Sequence, residues 1–406
     1  MNSVYRSHIS PVSGSSTPSA VILSSHRILT LRQPAAITFG VGCATQTGSY
    51  LSQQNRRRVL VVFSSSTSVA AQALIARLNH QGIATSTLTG IPPEPDVASL
   101  ERFRVEVRHL PIDAVVGLGG GSVLDVAKLL AALHGRPESV RQFFGSGLLP
   151  PRTISLVCLP TTAGTGSEVS PNAILYDEIE HLKKAVISPY LVPDAAFIDP
   201  QLTVSVPAAL TAATGVDALA HCLEAYANRV AHPLVDLYAL EGIRLISSQL
   251  QHAVDQPNDL DARSAVALGS LYGGLCLGPV NTAAVHALAY PLGSEFRLAH
   301  GLSIALLLPH VVRFNLPAAP GRYAEIARAL GAPDAGDAMT TAACGADRLA
   351  ALGAACGIPR GLAACGVPAD AIPRMATDAM KVTRLLQNNP RDVTLADAEQ
   401  IYRNAL

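Results

Sequence analysis

Four side chains that could hold a metal ion are spread over two apolar segments of the chain. Asp217 and His221 lie four residues apart in "TGVDALAHCLEAY", so both project from one face of the predicted helix. His286 and His300 lie fourteen residues apart in "VHALAYPLGSEFRLAHG". One carboxylate and three imidazoles suit a divalent transition metal that keeps an open position for substrate. For Asp217 and His221 alone, an ordinary buried hydrogen bond is the alternative.

A metal in this site would do a definite kind of chemistry. Asp217 would neutralise half of the charge on the ion, and the remaining positive charge would stabilise an alkoxide, which eases loss of a hydroxyl proton before hydride leaves. The donor set does not fix the metal, because iron, zinc, nickel and cobalt all accept such ligands. We expect Fe²⁺, with Zn²⁺ as the alternative.

Tyr290 follows His286 by four residues and is expected to face the same cleft. It could relay a proton from the alcohol, or it could be a packing aromatic that narrows the pocket. A phenol with a pKa near 10 is a poor base at neutral pH. We therefore expect Tyr290 to fill space while a water carries the proton.

A glycine cluster marks a possible phosphate site earlier in the chain. In "DAVVGLGGGSVLDVAKLLAAL", Gly119, Gly120 and Gly121 lie where a predicted strand turns into a helix that starts near Ser122. Such a turn is expected to need positive φ angles and to let backbone amides approach a ligand. The free N–H groups and the dipole of the helix suit a pyrophosphate. Alone, the cluster could equally be a plain tight turn.

A second loop strengthens the nucleotide interpretation. "PTTAGTGSE", residues 160–168, adds glycines and hydroxyls at the end of a later strand. In an open α/β sheet, the loops at the carboxyl ends of the strands converge on one crevice. Two such loops favour a nucleotide site over two coincidental turns.

Strands and helices alternate over the first half of the chain, which predicts a parallel sheet covered by helices. "VLVVF" reads as a buried strand, and "VAAQALIARLNHQG" follows it with helical spacing. Alanine- and leucine-rich helical stretches take over past Val206, without convincing strands. We expect an α/β dinucleotide-binding domain at residues 29–206 and an all-helical metal-binding domain at residues 207–406, with Pro207 in the first turn of its first helix.

Composition limits the partners and the compartment. The chain has 406 residues, 49% of them hydrophobic, with 30 basic and 30 acidic residues. The net charge of zero gives no reason to expect nucleic acid or a membrane surface as partner. No apolar run approaches the roughly 20 residues of a membrane-spanning helix. Seven cysteines without a CxxC pair favour reduced thiols, so we expect a cytoplasmic protein.

The first 28 residues differ from the rest of the chain. They are rich in Ser and Pro, and no Asp or Glu precedes Glu94. We expect a disordered N-terminal extension or a mis-assigned start. An organelle transit peptide would share this composition, whereas a secretory signal would need a longer apolar core.

Several motifs in order resemble those of the iron-containing (group III) alcohol dehydrogenases, over about residues 29–406. They are "GGGSVLDVAK", "PTTAGTGSEVSPNA", "KKAVISPYLVPDAAFIDP", "TGVDALAHCLEAY", "VHALAYPLGSEFRLAHG", "LLLPHVVRFN" and "NNPR". The resemblance implies a dehydroquinate synthase-like architecture, in which a dinucleotide-binding α/β domain and an all-α domain hold a catalytic metal between them. It also implies that the chain uses NAD or NADP and a small alcohol or carbonyl substrate, and we expect a homodimer.

Individual residues match positions of that family. Asp217, His221, His286 and His300 match its metal ligands, and Lys184 matches a lysine near the nicotinamide, although a surface lysine is the alternative. The positions that match its cofactor contacts are Gly120, Gly121, Ser122, Asp125, Thr161, Thr162 and Thr165.

Two departures from the family affect cofactor and substrate. Members specific for NAD often carry an acid at the end of the first nucleotide-binding strand, where this chain has Ser64, so we expect relaxed cofactor choice. Relatives that reduce small diols often have a histidine where this chain has Tyr290.

The leading interpretation is an oxidoreductase that interconverts an alcohol and an aldehyde or ketone. Maleylacetate reductase-like and hydroxyacid-oxoacid transhydrogenase activities share the same motifs. A lyase resembling dehydroquinate synthase comes from another class, and the lysine-poor C-terminal half argues against it. A non-catalytic homologue is hard to reconcile with four filled ligand positions.

Overall fold

The computed structural model describes residues 27–406, so the expectations for residues 1–26 lie outside it. The first part of the described chain is built on a six-stranded sheet. Its strands are β1 (Ala36–Phe39), β2 (Arg58–Phe63), β3 (Ala84–Leu88), β4 (Ala114–Gly119), β6 (Ser155–Pro160) and β9 (Ala195–Ile198). A three-stranded sheet contains β5 (Gly145–Ser146), β7 (Asn172–Asp177) and β8 (Leu182–Ile187).

Helices cover both faces of the large sheet. They are α1 (Thr47–Gln53), α2 (Ser68–His80), α3 (Val97–Val107) and α4 (Gly121–Leu133). In β2, Val59 and Val61 pack into one core with α2, while Leu60 and Val62 pack into another with α3 and α4. This burial on both faces explains the continuous apolar run, which is typical of parallel sheets.

The strand order β1-β9-β6-β4-β2-β3 is parallel throughout. From β2 the chain runs through α2 to the edge strand β3, and α3 then returns it across β2 to β4. The order therefore reverses between β2 and β4, and ligands of open α/β sheets bind at the carboxyl ends of the strands at such a point. The register pairs Phe63 with Leu118 and Gly119 with Pro160, so the loops after β2, β4 and β6 begin side by side.

The rest of the chain is helical, as the sequence predicts. The helices are α5 (Ala208–Tyr226), α6 (Pro233–Asp255), α7 (Leu260–Leu277), α8 (Ala284–Phe296), α9 (His300–Asn315), α10 (Pro320–Ala329), α11 (Ala338–Ala355), α12 (Ile372–Met380), α13 (Thr383–Leu386) and α14 (Leu395–Ala405). Pro207 is the N-cap of α5 and not part of its first turn. The fold class, a parallel α/β sheet followed by a helical part, is confirmed, and the exact division at residues 206 and 207 stays a prediction.

Among residues 27–406, one helical stretch, His300–Ala318, is long and apolar enough by length and composition to cross a membrane, with 61% of it buried inside the protein. The sequence-based expectation that no apolar segment comes near this length was therefore too strong. The apolar side chains of α9, among them Ile304, Leu307 and Leu308, lie in the helical core together with those of α5 and α8. Core helices of soluble proteins pass the same test, so this stretch is weak support for a membrane span.

Candidate active site

The three imidazoles among the candidate metal ligands surround one atom, the Oδ1 of Asp217. Asp217 Oδ1 lies 3.8 Å from His221 Nε2, 3.5 Å from His286 Nε2 and 3.6 Å from His300 Nε2. Asp217 and His221 come from successive turns of α5, His286 from the first turn of α8 and His300 from the first residue of α9. Three nitrogen atoms that face one carboxylate oxygen leave room for a small cation among them.

Burial separates this cluster from ordinary polar contacts. Asp217, His221 and His286 are each at most 5% exposed, and their ligand atoms lie within 4.8 Å of one another. His300 closes the set from the cleft side, where 29% of its side chain is exposed. Asp217 Oδ1 and His286 Nε2 are buried without a hydrogen-bond partner among the described residues. Buried polar atoms are rarely left unsatisfied, so this pair fits a cation-binding site.

Two imidazoles are oriented through their second nitrogen. His221 Nδ1 lies 3.2 Å from the Gly164 carbonyl oxygen, and His286 Nδ1 lies 2.5 Å from Glu224 Oε2. With Nδ1–H donating to these oxygens, Nε2 of each ring presents its lone pair to the cluster, as metal-ligating histidines commonly do. Burial by itself would lower the pKa of His286, but Glu224 and Asp217 raise it to about 9. A positive charge, whether a proton or a metal ion, is therefore favoured at this ring.

The sequence-based prediction did not include Glu224. This residue lies three positions after His221 on the same face of α5 and is 4% exposed. Its Oε1 accepts the N–H of Val285 at 2.6 Å while Oε2 accepts from His286. The spacing of Asp217, His221 and Glu224 along one helix face was the available signal.

We expect Glu224→Gln to weaken metal binding by about 10- to 100-fold, the usual cost of losing an outer-shell partner. Val285 and His286 contact different oxygens of Glu224, so the NH2 group of glutamine would face one of these two donors. Metal affinity measured by competition with a chelator checks this. Glu241→Gln on the exposed side of α6 removes the same charge away from the cluster and should leave the affinity unchanged; equal affinities in the two variants would contradict the assignment.

The glycine loop after β4 lies against the threonine loop after β6. A Cβ atom at Gly121 would lie 2.6 Å from Thr165 Cγ2, and one at Gly120 would lie 3.3 Å from Thr162 Oγ1. Gly119, Gly120 and Gly121 all have ordinary backbone angles, so the expectation of positive φ angles there was wrong. Gly120 and Gly121 are needed because the two loops approach closely, whereas a Cβ atom at Gly119 would lie 2.6 Å from Val123 Cβ on α4.

The remaining cofactor candidates lie around this junction. Thr161 donates its backbone N–H to Gly119 O at 3.0 Å. Ser64 follows β2, and its hydroxyl lies 2.9 Å from Ser66 Oγ. The cleft that continues to the four candidate metal ligands is lined by Gly121, Ser122, Asp125 and Thr165.

Asp125 also stabilises the threonine loop and the strand β7 that follows it, by accepting two hydrogen bonds. Its Oδ1 accepts from Ser167 Oγ at 2.5 Å, and its Oδ2 accepts the N–H of Ile174 at 2.9 Å. The fully buried Lys128, one turn later, donates to the carbonyl oxygens of Ser167, Ser170 and Asn172 at 2.6 to 2.8 Å. Burial raises the pKa of Asp125 and lowers that of Lys128, while each charge offsets part of the shift in the other.

Lys184 is not brought into the cleft. Its Nζ contacts Asp177 and Glu180, and it lies over the Phe144 ring. Side chains alternate along β8, so the neighbouring Lys183 lines the cleft instead, paired with Glu94 at 2.7 Å. The lysine on the cleft wall is therefore Lys183, one residue before the predicted Lys184, and the alternation along the strand was the signal that the two side chains face opposite ways.

Tyr290 faces the cleft one helical turn after His286, and its ring centre lies 6.4 Å from that of His300. Burial raises the pKa of its phenol, and the nearby Arg384 opposes this shift. Arg384, on α13, lines the same part of the cleft and was not predicted from the sequence. The cleft thus runs from the loops after β4 and β6 to the four candidate metal ligands, and Tyr290 and Arg384 lie beside these ligands.

Comparisons with known proteins agree with this geometry. Residues 34–200 match the profile of "Iron-containing alcohol dehydrogenase", and residues 211–406 match that of "Fe-containing alcohol dehydrogenase family, C-terminal". The chain is 39% identical to long-chain-alcohol dehydrogenase 1 of Geobacillus thermodenitrificans, over 81% of this chain and 84% of that protein. It is 32% identical to the NAD-dependent methanol dehydrogenase of Bacillus methanolicus, over 92% and 98%.

A solved structure has the same architecture. The crystal structure of a 1,3-propanediol oxidoreductase superposes with a TM-score of 0.90 at 32% identity, over 94% of this chain and 100% of that one. Both halves of the chain therefore match one family in sequence and in fold. The chain belongs to the iron-containing alcohol dehydrogenase family and is an oxidoreductase that acts on alcohols or aldehydes.

Proposed function

We propose that the chain is a metal-dependent dehydrogenase that transfers a hydride between NAD or NADP and an alcohol or its aldehyde or ketone. The observation that carries the proposal is the convergence of Asp217 with His221, His286 and His300 in the cleft that also contains the glycine and threonine loops. The relatives in this family, an alcohol dehydrogenase and an NAD-dependent methanol dehydrogenase, support it.

The residues present fit a divalent cation. Asp217, His221, His286 and His300 would hold it, with Fe²⁺ preferred and Zn²⁺ as the alternative. When bound, the ion supplies a Lewis acid that lowers the pKa of a substrate hydroxyl and stabilises negative charge on its oxygen. Glu224 and the Gly164 carbonyl hold two of the imidazoles in the orientation that this requires.

The residues predicted to bind the cofactor lie on two loops. The turn from β4 into α4 contains Gly119, Gly120, Gly121 and Ser122. Backbone N–H groups and the helix dipole at the start of α4 suit a pyrophosphate. Thr161, Thr162 and Thr165 form the facing wall, and Asp125 supports it. When bound, a nicotinamide cofactor would supply or accept the hydride, and Lys183, not Lys184, lies on the cleft wall.

The reduced-nicotinamide absorbance band tests the proposal. Adding a primary alcohol and oxidised cofactor to the metal-loaded protein should produce a net rise in that band, and removing the metal with a chelator should abolish it. A lyase that uses the cofactor transiently would regenerate it and give no net rise. No rise with any alcohol, and no consumption of reduced cofactor with any aldehyde, would contradict the proposal.

Tyr290→Phe should change turnover by less than about threefold, because removing a hydroxyl that takes no part in proton transfer leaves the wall of the pocket in place. A smaller residue there should broaden the substrate range. Steady-state kinetics at fixed metal content check both. A proton relay through the phenol would instead make the phenylalanine variant lose about 10²-fold, which is the usual contribution of general acid–base catalysis.

Compartment and assembly remain proposals. All seven cysteines are free thiols in the structure, and five are buried, which supports a reducing, cytoplasmic compartment. The homodimer is supported by β1, which forms one edge of the large sheet and carries the exposed Phe39 at its end, with the exposed Val41 just after it. Light scattering of the purified protein tests the oligomeric state.

A further inference from the structure

Arg384 is a charged residue of the cleft that the proposed reaction does not use. It lies on the short helix α13, which packs against α8, and it lines the cleft beside Tyr290 and His300. Lys183, the other basic residue that lines the cleft, is paired with Glu94 at 2.7 Å. Among residues 27–406, no carboxylate lies within ion-pair distance of Arg384, and its hydrogen-bonding neighbour in the cleft is the uncharged phenol of Tyr290.

The carboxylates that line the cleft are all engaged elsewhere. Glu94 pairs with Lys183, and Asp125 accepts from Ser167 and from the N–H of Ile174. Asp217 faces the three imidazoles. The guanidinium of Arg384 therefore keeps an unmatched positive charge on the substrate side of the cleft.

A neutral alcohol or aldehyde would leave this charge unmatched. The oxygen of the reacting group belongs at the metal cluster, so it cannot serve Arg384 as well. A partly desolvated guanidinium gains most from a carboxylate, which its planar fork can bind through two parallel hydrogen bonds. A second, anionic group on the substrate would supply that partner.

We infer that Arg384 binds a carboxylate carried by the substrate, and that the chain prefers short aldehydes or ketones bearing a carboxylate, together with the matching hydroxy acids. This inference rests on the proposed function. In the step itself, the carbonyl carbon accepts hydride from the reduced cofactor and the oxygen gains a proton, which gives the hydroxy acid and the oxidised cofactor. The carboxylate takes no part in the bond changes.

The position of Arg384 limits the length of the substrate. It lies beside Tyr290, which follows the ligand residue His286 by one helical turn, a rise of about 5.4 Å. A chain of a few carbon atoms spans such a separation between the reacting carbon and the carboxylate. A long alkyl chain would have to pass Arg384 without a partner for its charge.

Succinate semialdehyde and its methyl ester form a matched pair of probes, since they share the aldehyde and differ in charge. For the metal-loaded wild type we expect a higher kcat/KM with the acid. Arg384→Met should lower kcat/KM for the acid by about 30- to 100-fold, the usual worth of a charge-assisted pair, and change the value for the ester by less than about threefold. For the acid, Arg384→Lys should give a kcat/KM between those of the wild type and Arg384→Met, because lysine keeps the charge but lacks the planar guanidinium that binds a carboxylate through two hydrogen bonds.

Lys381→Met is the control, since it removes a positive charge three residues away, where the exposed Lys381 pairs with Asp378. It should leave the ratio of acid to ester unchanged. Titration calorimetry of butanoate and butanamide into the protein gives a second readout that needs no turnover, and Arg384→Met should weaken the binding of butanoate alone.

The outcomes distinguish a failure of the inference about Arg384 from a failure of the proposed function. Equal losses for acid and ester in Arg384→Met would mean that Arg384 only holds Tyr290 in place, and this would overturn the inference while the proposed function stands. Unchanged acid kinetics and unchanged butanoate binding would overturn it too. If neither probe is reduced by the metal-loaded wild type, the proposed function fails, and the calorimetry alone then decides whether Arg384 binds carboxylates.

Discussion

His286→Ala should bind little metal and should oxidise alcohols roughly 10³-fold or more slowly than the wild type, because electrostatic stabilisation of the reacting oxygen is usually the largest single contribution to catalysis. His286 Nε2 is one of the two buried atoms without a partner in the cluster, and its Nδ1 contacts Glu224. Alanine removes the ligand and also leaves Glu224 Oε2 without its partner. Elemental analysis and turnover, measured on the same preparation, check the prediction.

Loss of a buried partner can also destabilise the fold, so folding must be measured separately. Removing one member of a buried charge pair commonly costs about 3–5 kcal/mol. His310→Ala, at a half-buried imidazole on α9 outside the cluster, is the matched control and should keep its metal and its activity. Full activity in a folded, metal-free His286→Ala protein would show that the metal is not needed.

Ser64→Asp should turn a relaxed cofactor choice into a preference for NAD of about 10³-fold, which corresponds to roughly 4 kcal/mol. The wild type should use NADP within about tenfold of NAD. Ser64 follows β2 at the point where the strand order reverses, and Thr67 beside it donates to Leu118 O, at the carboxyl end of β4. A carboxylate at position 64 would accept from a free ribose hydroxyl and would repel a 2′-phosphate.

The comparison of kcat/KM for the two cofactors tests this. Ser66→Asp places the same charge two residues further along, at an exposed position, and should shift the preference much less. A wild-type preference for NAD above about 10³-fold would mean that some other group reads the ribose. An unchanged ratio in Ser64→Asp would remove residue 64 from the cofactor site.

Periodicity accounts for what the sequence could predict. The run Val59–Phe63 between turn formers indicated a doubly buried strand, and the pairing of Asp217 with His221 followed from helical spacing. Ligand chemistry joined His286 and His300 to that pair, the family resemblance matched all four residues to its ligand positions, and the structure places the four side chains together. The fold class and the family are confirmed, whereas the roles of the site residues stay predictions.

What the sequence did not predict depends on register and packing. A shift of one residue along β8 moves a side chain to the opposite face, so Lys183 and not Lys184 reaches the cleft. The glycines at 119–121 were expected to provide positive φ angles, but Gly120 and Gly121 are needed because Thr162 and Thr165 approach from another loop, and Gly119 because Val123 lies against it. Arg384 lies about a hundred residues from His286 in sequence, and only the packing of α13 on α8 brings them into one cleft.

Anomalous X-ray diffraction from crystals of the active, metal-loaded protein, recorded on either side of the absorption edge of its metal, tests the central claim most directly. We expect one anomalous peak among Asp217, His221, His286 and His300, at about 2.0–2.2 Å from the carboxylate oxygen and the three Nε2 atoms. A peak at another site, or no peak in protein that oxidises alcohols at its full rate, would contradict the account.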